Sequence, residues 1–293
     1  MASARAVLLT LRPHQWVKNL FVAAPLVFAK HLVDGGYLWR TGLAVAAFCA
    51  LSGAVYAIND VLDVESDRAH PTKRRRPIAA GQLGERAALM LAAGLAIAAL
   101  AACLLLSWKT AAWAGGYLAI NLAYSIKLKH VAFLDVVLIS SGFMARVAAG
   151  GAAIAVTPSR WLLVCTGLLA TYLALGKRAH ELALAMRDGR DATATRAALA
   201  GYRLTWVRVG MFVLGAATAA AYVAYTVDAH TVAFFGTRDL PWSAPFCGLG
   251  LVRFAWLALV RPTAHSPTDA MLRDVVFLLN LAAWGAVILV IVY

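Results

Sequence analysis

Long apolar blocks fill this chain, and its polar residues gather in the short gaps between them. Blocks of about 17 to 25 apolar residues are long enough to cross the hydrocarbon of a bilayer as helices. Nine are predicted, at approximately 14–33, 39–62, 85–107, 110–128, 131–153, 160–182, 202–227, 240–260 and 271–292. The fold class they imply is an all-α integral membrane protein, with about nine transmembrane helices in one domain over residues 1–293 and a polar site facing the cytoplasm. Near the N-terminus the apolar run AVLLTL is cut short by Arg12 and Pro13, which is too short for the core of a signal peptide, so no cleavage is expected.

Composition sharpens this picture. With 62% hydrophobic and 14% charged residues and a mean hydropathy of +0.74, the chain is not an ordinary soluble domain. A net charge of +13 would suggest nucleic acid in a soluble protein. Here the cations alternate between gaps, so topology explains them and no nucleic-acid partner is expected. One set of gaps holds Arg5 and Arg12, Arg68 through Arg86, Lys127 and Lys129, Lys177 through Arg203, and Arg261 with Arg273. The other holds little beyond Lys30, Arg40, Lys109, Arg160 and Arg238. The positive-inside rule therefore puts the N-terminus and the first set in the cytoplasm and the C-terminus outside. Cys49, Cys103, Cys165 and Cys247 lie in apolar blocks without metal-ligand spacing and read as small core residues.

The densest chemistry is the stretch YAINDVLDVESDRAHPTKRRRPIAAG, from Tyr56 to Gly81. On a continuous helix Asn59, Asp63 and Asp67 share one stripe, with Asp60 beside it. Like charges at that spacing repel, and more strongly where the dielectric falls, so the arrangement asks for a cation. Mg²⁺ suits it, since it takes hard oxygens from one or two carboxylates and leaves room for water and substrate phosphate. Downstream, Lys73, Arg74, Arg75 and Arg76 sit between Pro71 and Pro77, which hold the segment out of regular helix. Such a loop can grip phosphate, and a solvated juxtamembrane surface is the plainer account of the same charges.

Other polar residues stand where the bilayer penalises them. Lys177 and Glu181 share a helix face with Arg178 beside them, either as an ordinary ion pair or as part of a site; Asp188, Arg190 and Asp191 follow in a loop. Asp135 and Arg146 are three turns apart on one face, so they form a structural pair through intermediates or leave Arg146 as a phosphate ligand. Lys18 and Asn19 follow Arg12 and Gln15, while Lys129 and His130 occupy a short loop. Lys18 reads equally as a side chain that snorkels to the headgroups. Ser140, Ser141 and Asn280 are expected to hydrogen-bond between helices, and Gly142, Ala145, Ala148, Ala149 and Gly151 to let helices approach closely.

The acidic motif at the end of the second block, with nine predicted helices, resembles the UbiA superfamily of intramembrane transferases. Within it, the chain is most similar to the branch that moves phosphoribose onto decaprenyl-like phosphates. The resemblance runs through RPHQWVKN, the stretch from Asn59 to Gly81, LAYSIKLKH, the Arg146 helix, GKRAHEL and TDAMLRD. Prenyltransferases of the superfamily carry a second acidic DxxxD motif, where this chain has Lys177, Arg178 and Glu181. That departure favours a donor with phosphates at both ends.

The resemblance implies transfer of 5-phosphoribose from phosphoribosyl diphosphate to a polyprenyl phosphate, with release of diphosphate and Mg²⁺ as cofactor. Asn59, Asp60, Asp63 and Asp67 would be the catalytic and metal-holding residues. Lys73, Arg74, Arg76, Lys177 and Arg178 would take donor phosphates, with Glu181 on ribose hydroxyls or a second metal. Lys18, Asn19 and Arg146 would take the lipid phosphate or the remaining donor oxygens, and Tyr124 and Lys129 are further substrate-binding candidates. The lipid phosphate is already ionised at neutral pH, so no general base is needed. A prenyltransferase that moves a polyprenyl group from its diphosphate to an aromatic or other small acceptor is the alternative, and an anion carrier is a third reading. Self-association into a homo-oligomer is left open.

Overall fold

The computed structural model describes residues 3–70, 72–189, 197–260 and 266–293. Of the residues named above, Pro71, Arg190, Asp191 and Arg261 lie outside the described residues, as does the side chain of His130. All regular structure among the described residues is helical, in two compact units: Met1–Lys129 with Ser141–Pro158, and His130–Ser140 with Ser159–Tyr293.

In the first unit, α1 (Ala4–Leu11) starts on the Ser3 hydroxyl, which accepts from the Ala6 amide. Proline disfavours helix in the residue before it. Arg12 accordingly leaves α1 in the left-handed conformation (φ 51°, ψ 63°), and Pro13 opens a 3₁₀ segment, Pro13–Ala23, that leads into the short α2 (Ala24–Phe28). The long α3 (Gly35–Leu62) is capped by Asp34, and α4 (Val64–Ala69) follows after a one-residue break. Lys73–Arg75 make a single 3₁₀ turn. Then come α5 (Glu85–Leu106), α6 (Trp108–Ile126) and α7 (Leu134–Ala153), whose first turns belong to the second unit.

Small and aromatic residues fill the core between these helices. Ala44, Ala47, Phe48 and Leu51 of α3 meet Ala99 and Cys103 of α5, Ala114 and Tyr117 of α6, and Ala145 and Ala149 of α7. At the far end from Asp60 on α3, Arg40 donates to the Leu106 and Ala153 carbonyls, tying the ends of α5 and α7 together.

The second unit contains α8 (Arg160–Arg187), a 3₁₀ turn at Ala197–Gly201, α9 (Leu204–Val227), α10 (Ala229–Phe235), α11 (Ala244–Leu259), α12 (Pro267–Arg273) and α13 (Val275–Val292). Tyr172, Leu175, Ala179, Met211, Phe254 and Ala258 form its core. Interhelical hydrogen bonds join several of its helices. Tyr172 donates to the Leu251 carbonyl at 2.7 Å, Asn280 to the Phe246 carbonyl at 2.9 Å, and Thr171 to Ser140 at 3.1 Å.

Seven helices among the described residues are long and apolar enough to cross a membrane: Gly35–Leu62, Glu85–Leu106, Leu134–Ala153, Arg160–Arg187, Leu204–Val227, Leu240–Leu259 and Val275–Val292. The expected count of nine is not reached on those grounds. The first block is interrupted by Pro25 and carries Gln15, Lys18 and Asn19, and α6 is diluted by Lys109, Asn121 and Ser125. Outward faces of the spanning helices are apolar, as at Leu105, Phe212 and Val290, which suits contact with lipid tails. The four cysteines are free.

Gly150 of α7 lies against the backbone of the first 3₁₀ segment, where an added Cβ would stand 1.9 Å from the Val22 carbonyl oxygen. Backbone cannot yield there as a flexible side chain would. Gly150→Ala should lower the melting temperature in detergent by an amount equivalent to about 1–3 kcal/mol. Gly94→Ala in α5, which meets open space, should leave it unchanged or raise it slightly.

Candidate active site

The acidic motif lies where α3 stops. Asp63 caps α3, its amide bonding to the Asn59 and Val61 carbonyls, and α4 restarts at Val64. This break splits the stripe expected of a continuous helix. Asn59 still donates to Asp63 Oδ2 at 3.1 Å, but the other Asp63 oxygen takes Lys129 Nζ at 2.6 Å. Asp60 and Asp67, on either side of the break, share a different cation. Arg76 Nη1 lies 3.1 Å from Asp60 Oδ1 and 2.6 Å from Asp67 Oδ2. Arg12 Nη2 reaches the same Asp60 oxygen at 2.5 Å, its guanidinium 4.9 Å above the centre of the Tyr56 ring.

Burial explains this pairing. The side chains of Asp60 and Asp67 are each 2% exposed, and a carboxylate so removed from water requires a partner. Among the described residues no three His, Cys, Asp or Glu side chains cluster closely enough to share an ion. Where the spacing predicted Asp60, Asp63 and Asp67 on one stripe, basic side chains stand between them. One acceptor is left over. Asp60 Oδ2 is buried with no hydrogen-bond partner among the described residues. Together with hard carboxylate and amide oxygens nearby, that orphaned atom makes the residues fit a divalent cation such as Mg²⁺.

Of the other basic-loop candidates, Lys73 is half-buried in the 3₁₀ turn and Arg74 is exposed. Arg12 is the residue that sequence reading missed, since it looked like one more loop cation. Its signal was the following proline, which turns the chain and aims the side chain back towards α3.

A second polar cluster lies deeper in the same unit. Arg146 donates to Asn19 Oδ1 at 2.8 Å, the Gly142 carbonyl at 3.0 Å and the Tyr117 hydroxyl at 3.0 Å, and Ser52 bonds to Asn19 and Tyr117. The guanidinium also packs over the Tyr117 and Phe143 rings. These acceptors are all neutral, so an intramembrane cation is held without a carboxylate among the described residues. Tyr117 and Ser52 carried no sequence signal beyond ordinary helix packing. Lys18 is half-buried and donates to Gln15 at 2.6 Å, and Tyr124 is half-buried near the end of α6.

The structure separates Asp135 from Arg146, in place of the pair considered above. Asp135 belongs to the second unit, where its Oδ2 lies 2.7 Å from Arg178 Nε and its Oδ1 accepts from the Tyr202 hydroxyl at 2.6 Å. Arg178 also reaches Glu181 at 2.5 Å. Neither Arg178 nor Asp135 is exposed at all, which corrects the expectation that Arg178 faces phosphate: it bridges two carboxylates. Burial, reinforced by the hydrogen bond to Asp135, pushes the Tyr202 phenol well above its usual pKa. Glu181 keeps 22% exposure and Lys177 is half-buried, so these two are the accessible members of the group.

Comparison with known proteins decides what this arrangement belongs to. The UbiA prenyltransferase family matches residues 19–281. The chain belongs to that family. Among curated relatives, it is 35% identical to the decaprenyl-phosphate phosphoribosyltransferase of Mycolicibacterium smegmatis, across 94% of this chain and 88% of the relative. It is 34% identical to the protein of the same name from Corynebacterium glutamicum, across 99% and 87%. A solved UbiA homologue from Archaeoglobus fulgidus bound to GPP and Mg²⁺ superposes with a TM-score of 0.71 over 98% of this chain and 96% of that one; at 15% identity the likeness concerns the fold.

Within this UbiA protein the Arg178 bridge makes a direct prediction. Arg178→Met leaves Asp135 and Glu181 without their shared cation and should destabilise the protein by about 3–5 kcal/mol. Differential scanning fluorimetry in detergent should register this as a marked fall in Tm. The double replacement Asp135→Leu/Arg178→Met should recover much of the loss, since no unpaired charge then remains between those two residues.

Proposed function

We propose that the chain transfers 5-phosphoribose from phosphoribosyl diphosphate to a polyprenyl phosphate of decaprenyl type and releases diphosphate. The observation that carries this reading is the set of carboxylates around the break between α3 and α4, two of them buried, interleaved with Arg12, Arg76 and Lys129, in a chain whose curated relatives bear the name of that activity. Asp60, Asp63 and Asp67, with Asn59, would hold Mg²⁺, which as a Lewis acid offsets the charge that grows on the departing diphosphate oxygens.

The protein's own groups do the rest. Arg76, Lys73 and Arg74 bind donor phosphate and orient it, since a guanidinium matches phosphate in a bidentate fork. Lys177 and Glu181 are assigned to the donor as well, with Arg178 and Asp135 fixing Glu181 in place. Arg146 and Asn19, held by neutral partners alone, retain uncompensated positive charge suited to a lipid phosphate or to the remaining donor oxygens, with Lys18 nearby in sequence. Tyr124 and Lys129 are assigned to substrate as well. The attacking oxygen is an ionised lipid phosphate, so catalysis rests on positioning and on electrostatic stabilisation of an oxocarbenium-like ribose.

The reading extends to location. The chain works as one UbiA-like domain across residues 1–293 in a bacterial inner membrane, with its N-terminus and basic motif loops in the cytoplasm, as the loop charges favour. One substrate is a lipid and the other a charged water-soluble sugar, so they meet at the boundary.

Purified protein given Mg²⁺, radiolabelled phosphoribosyl diphosphate and a mixed polyprenyl phosphate pool should yield a phosphoribosyl lipid detectable by mass spectrometry. Asp63→Asn should reduce that turnover by about 10³-fold or more, with folding retained by size-exclusion profile and Tm. Product formed instead from a polyprenyl diphosphate and an aromatic acceptor would replace this reading with prenyl transfer. Uptake into proteoliposomes without conversion would point to a carrier.

A further inference from the structure

The carboxylates at the end of α3 are already neutralised from within. Asp60, Asp63 and Asp67 contribute three negative charges, and Arg12, Arg76 and Lys129 three positive ones at contact distance. A free divalent cation entering this group would meet no net negative charge and would leave two positive charges in excess beside the bilayer, where charge is poorly screened. A cation accompanied by diphosphate meets a different balance. The carboxylate oxygens turn to the metal, and the released basic side chains turn to phosphate oxygens of opposite charge.

We propose that Arg12 is a phosphate-binding residue held in reserve on Asp60, and that with Arg76 it makes metal and diphosphate bind this site as one unit. The inference rests on the metal-holding role given above to the aspartates. Three observations point to Arg12. It contacts the oxygen of Asp60 that Arg76 also contacts, while the other Asp60 oxygen is buried without a partner among the described residues. Its side chain keeps 21% exposure while that of Asp60 is 2% exposed, so the guanidinium can leave the carboxylate towards water while the carboxylate stays. Its backbone is turned into the left-handed region ahead of Pro13, which fixes the root of the side chain where α1 ends.

Coupling of this kind is reciprocal: whatever weakens the hold of Arg12 on Asp60 helps metal alone and harms metal with diphosphate. The test uses the full chain in detergent with two probes. Mn²⁺ binding alone is read by electron paramagnetic resonance, and retention of radiolabelled inorganic diphosphate at fixed excess Mg²⁺ by equilibrium dialysis. Arg12→Gln should bind Mn²⁺ alone about fivefold or more tighter and retain diphosphate about fivefold or more weaker, while Arg12→Lys, which keeps the charge, stays near wild type on the first measurement. Opposite signs cannot come from general loss of folding. Both affinities moving the same way in Arg12→Gln, or neither moving, overturns this proposal while leaving the metal reading intact. Wild-type protein that retains neither Mn²⁺ nor diphosphate overturns both.

Discussion

The contact on which the rest turns is the buried one between Asp60 and the guanidinium groups of Arg12 and Arg76. A carboxylate 2% exposed at the end of an apolar helix is tolerable only with a cation beside it. Meeting that need recruits separate parts of the chain. Arg12 comes from the corner before Pro13, Arg76 from the end of the basic turn, and Asp67 from α4, so the N-terminal helix, the end of α3 and the loop after it are tied by a single set of charges. The same requirement shapes the neighbouring group, in which Asp63 is held between Asn59 and Lys129.

Arg178 and Arg146, each within a spanning helix, follow the rule in different ways. Arg178 is surrounded by carboxylates and is consumed in holding Asp135 and Glu181. Arg146 is surrounded by neutral oxygens and aromatic faces, which order it without cancelling its charge. An arginine of the first kind braces the structure, whereas one of the second kind stays attractive to an anion. Sequence spacing shows neither partner set, because a charged side chain in an apolar block looks the same whichever distant neighbours fold against it.

Membership of the UbiA family accounts for the chemistry being gathered at helix ends. A spanning helix satisfies its own backbone and offers the bilayer an apolar surface, so carboxylates and guanidinium groups concentrate where it stops. The break at Asp63 falls at such an end, and across it Asp60 and Asp67 share the Arg76 guanidinium.

The sequence by itself determined the membrane class, the approximate ends of most helices, and the stretch from Asn59 to Arg76 as the densest gathering of charge, because hydrophobic block length and local charge density are properties of the chain order alone. It also supplied Asn280 and Ser140 as interhelical hydrogen-bonding groups, since few other roles suit a lone polar side chain in an apolar block. The tertiary structure alone decided the partners: Arg12 with Asp60, Lys129 with Asp63, Arg178 with Asp135, and Arg146 with Asn19 and Tyr117. Each joins positions far apart in the chain, and a charge sets no preference for a distant partner until packing has brought one within reach and removed the water between them.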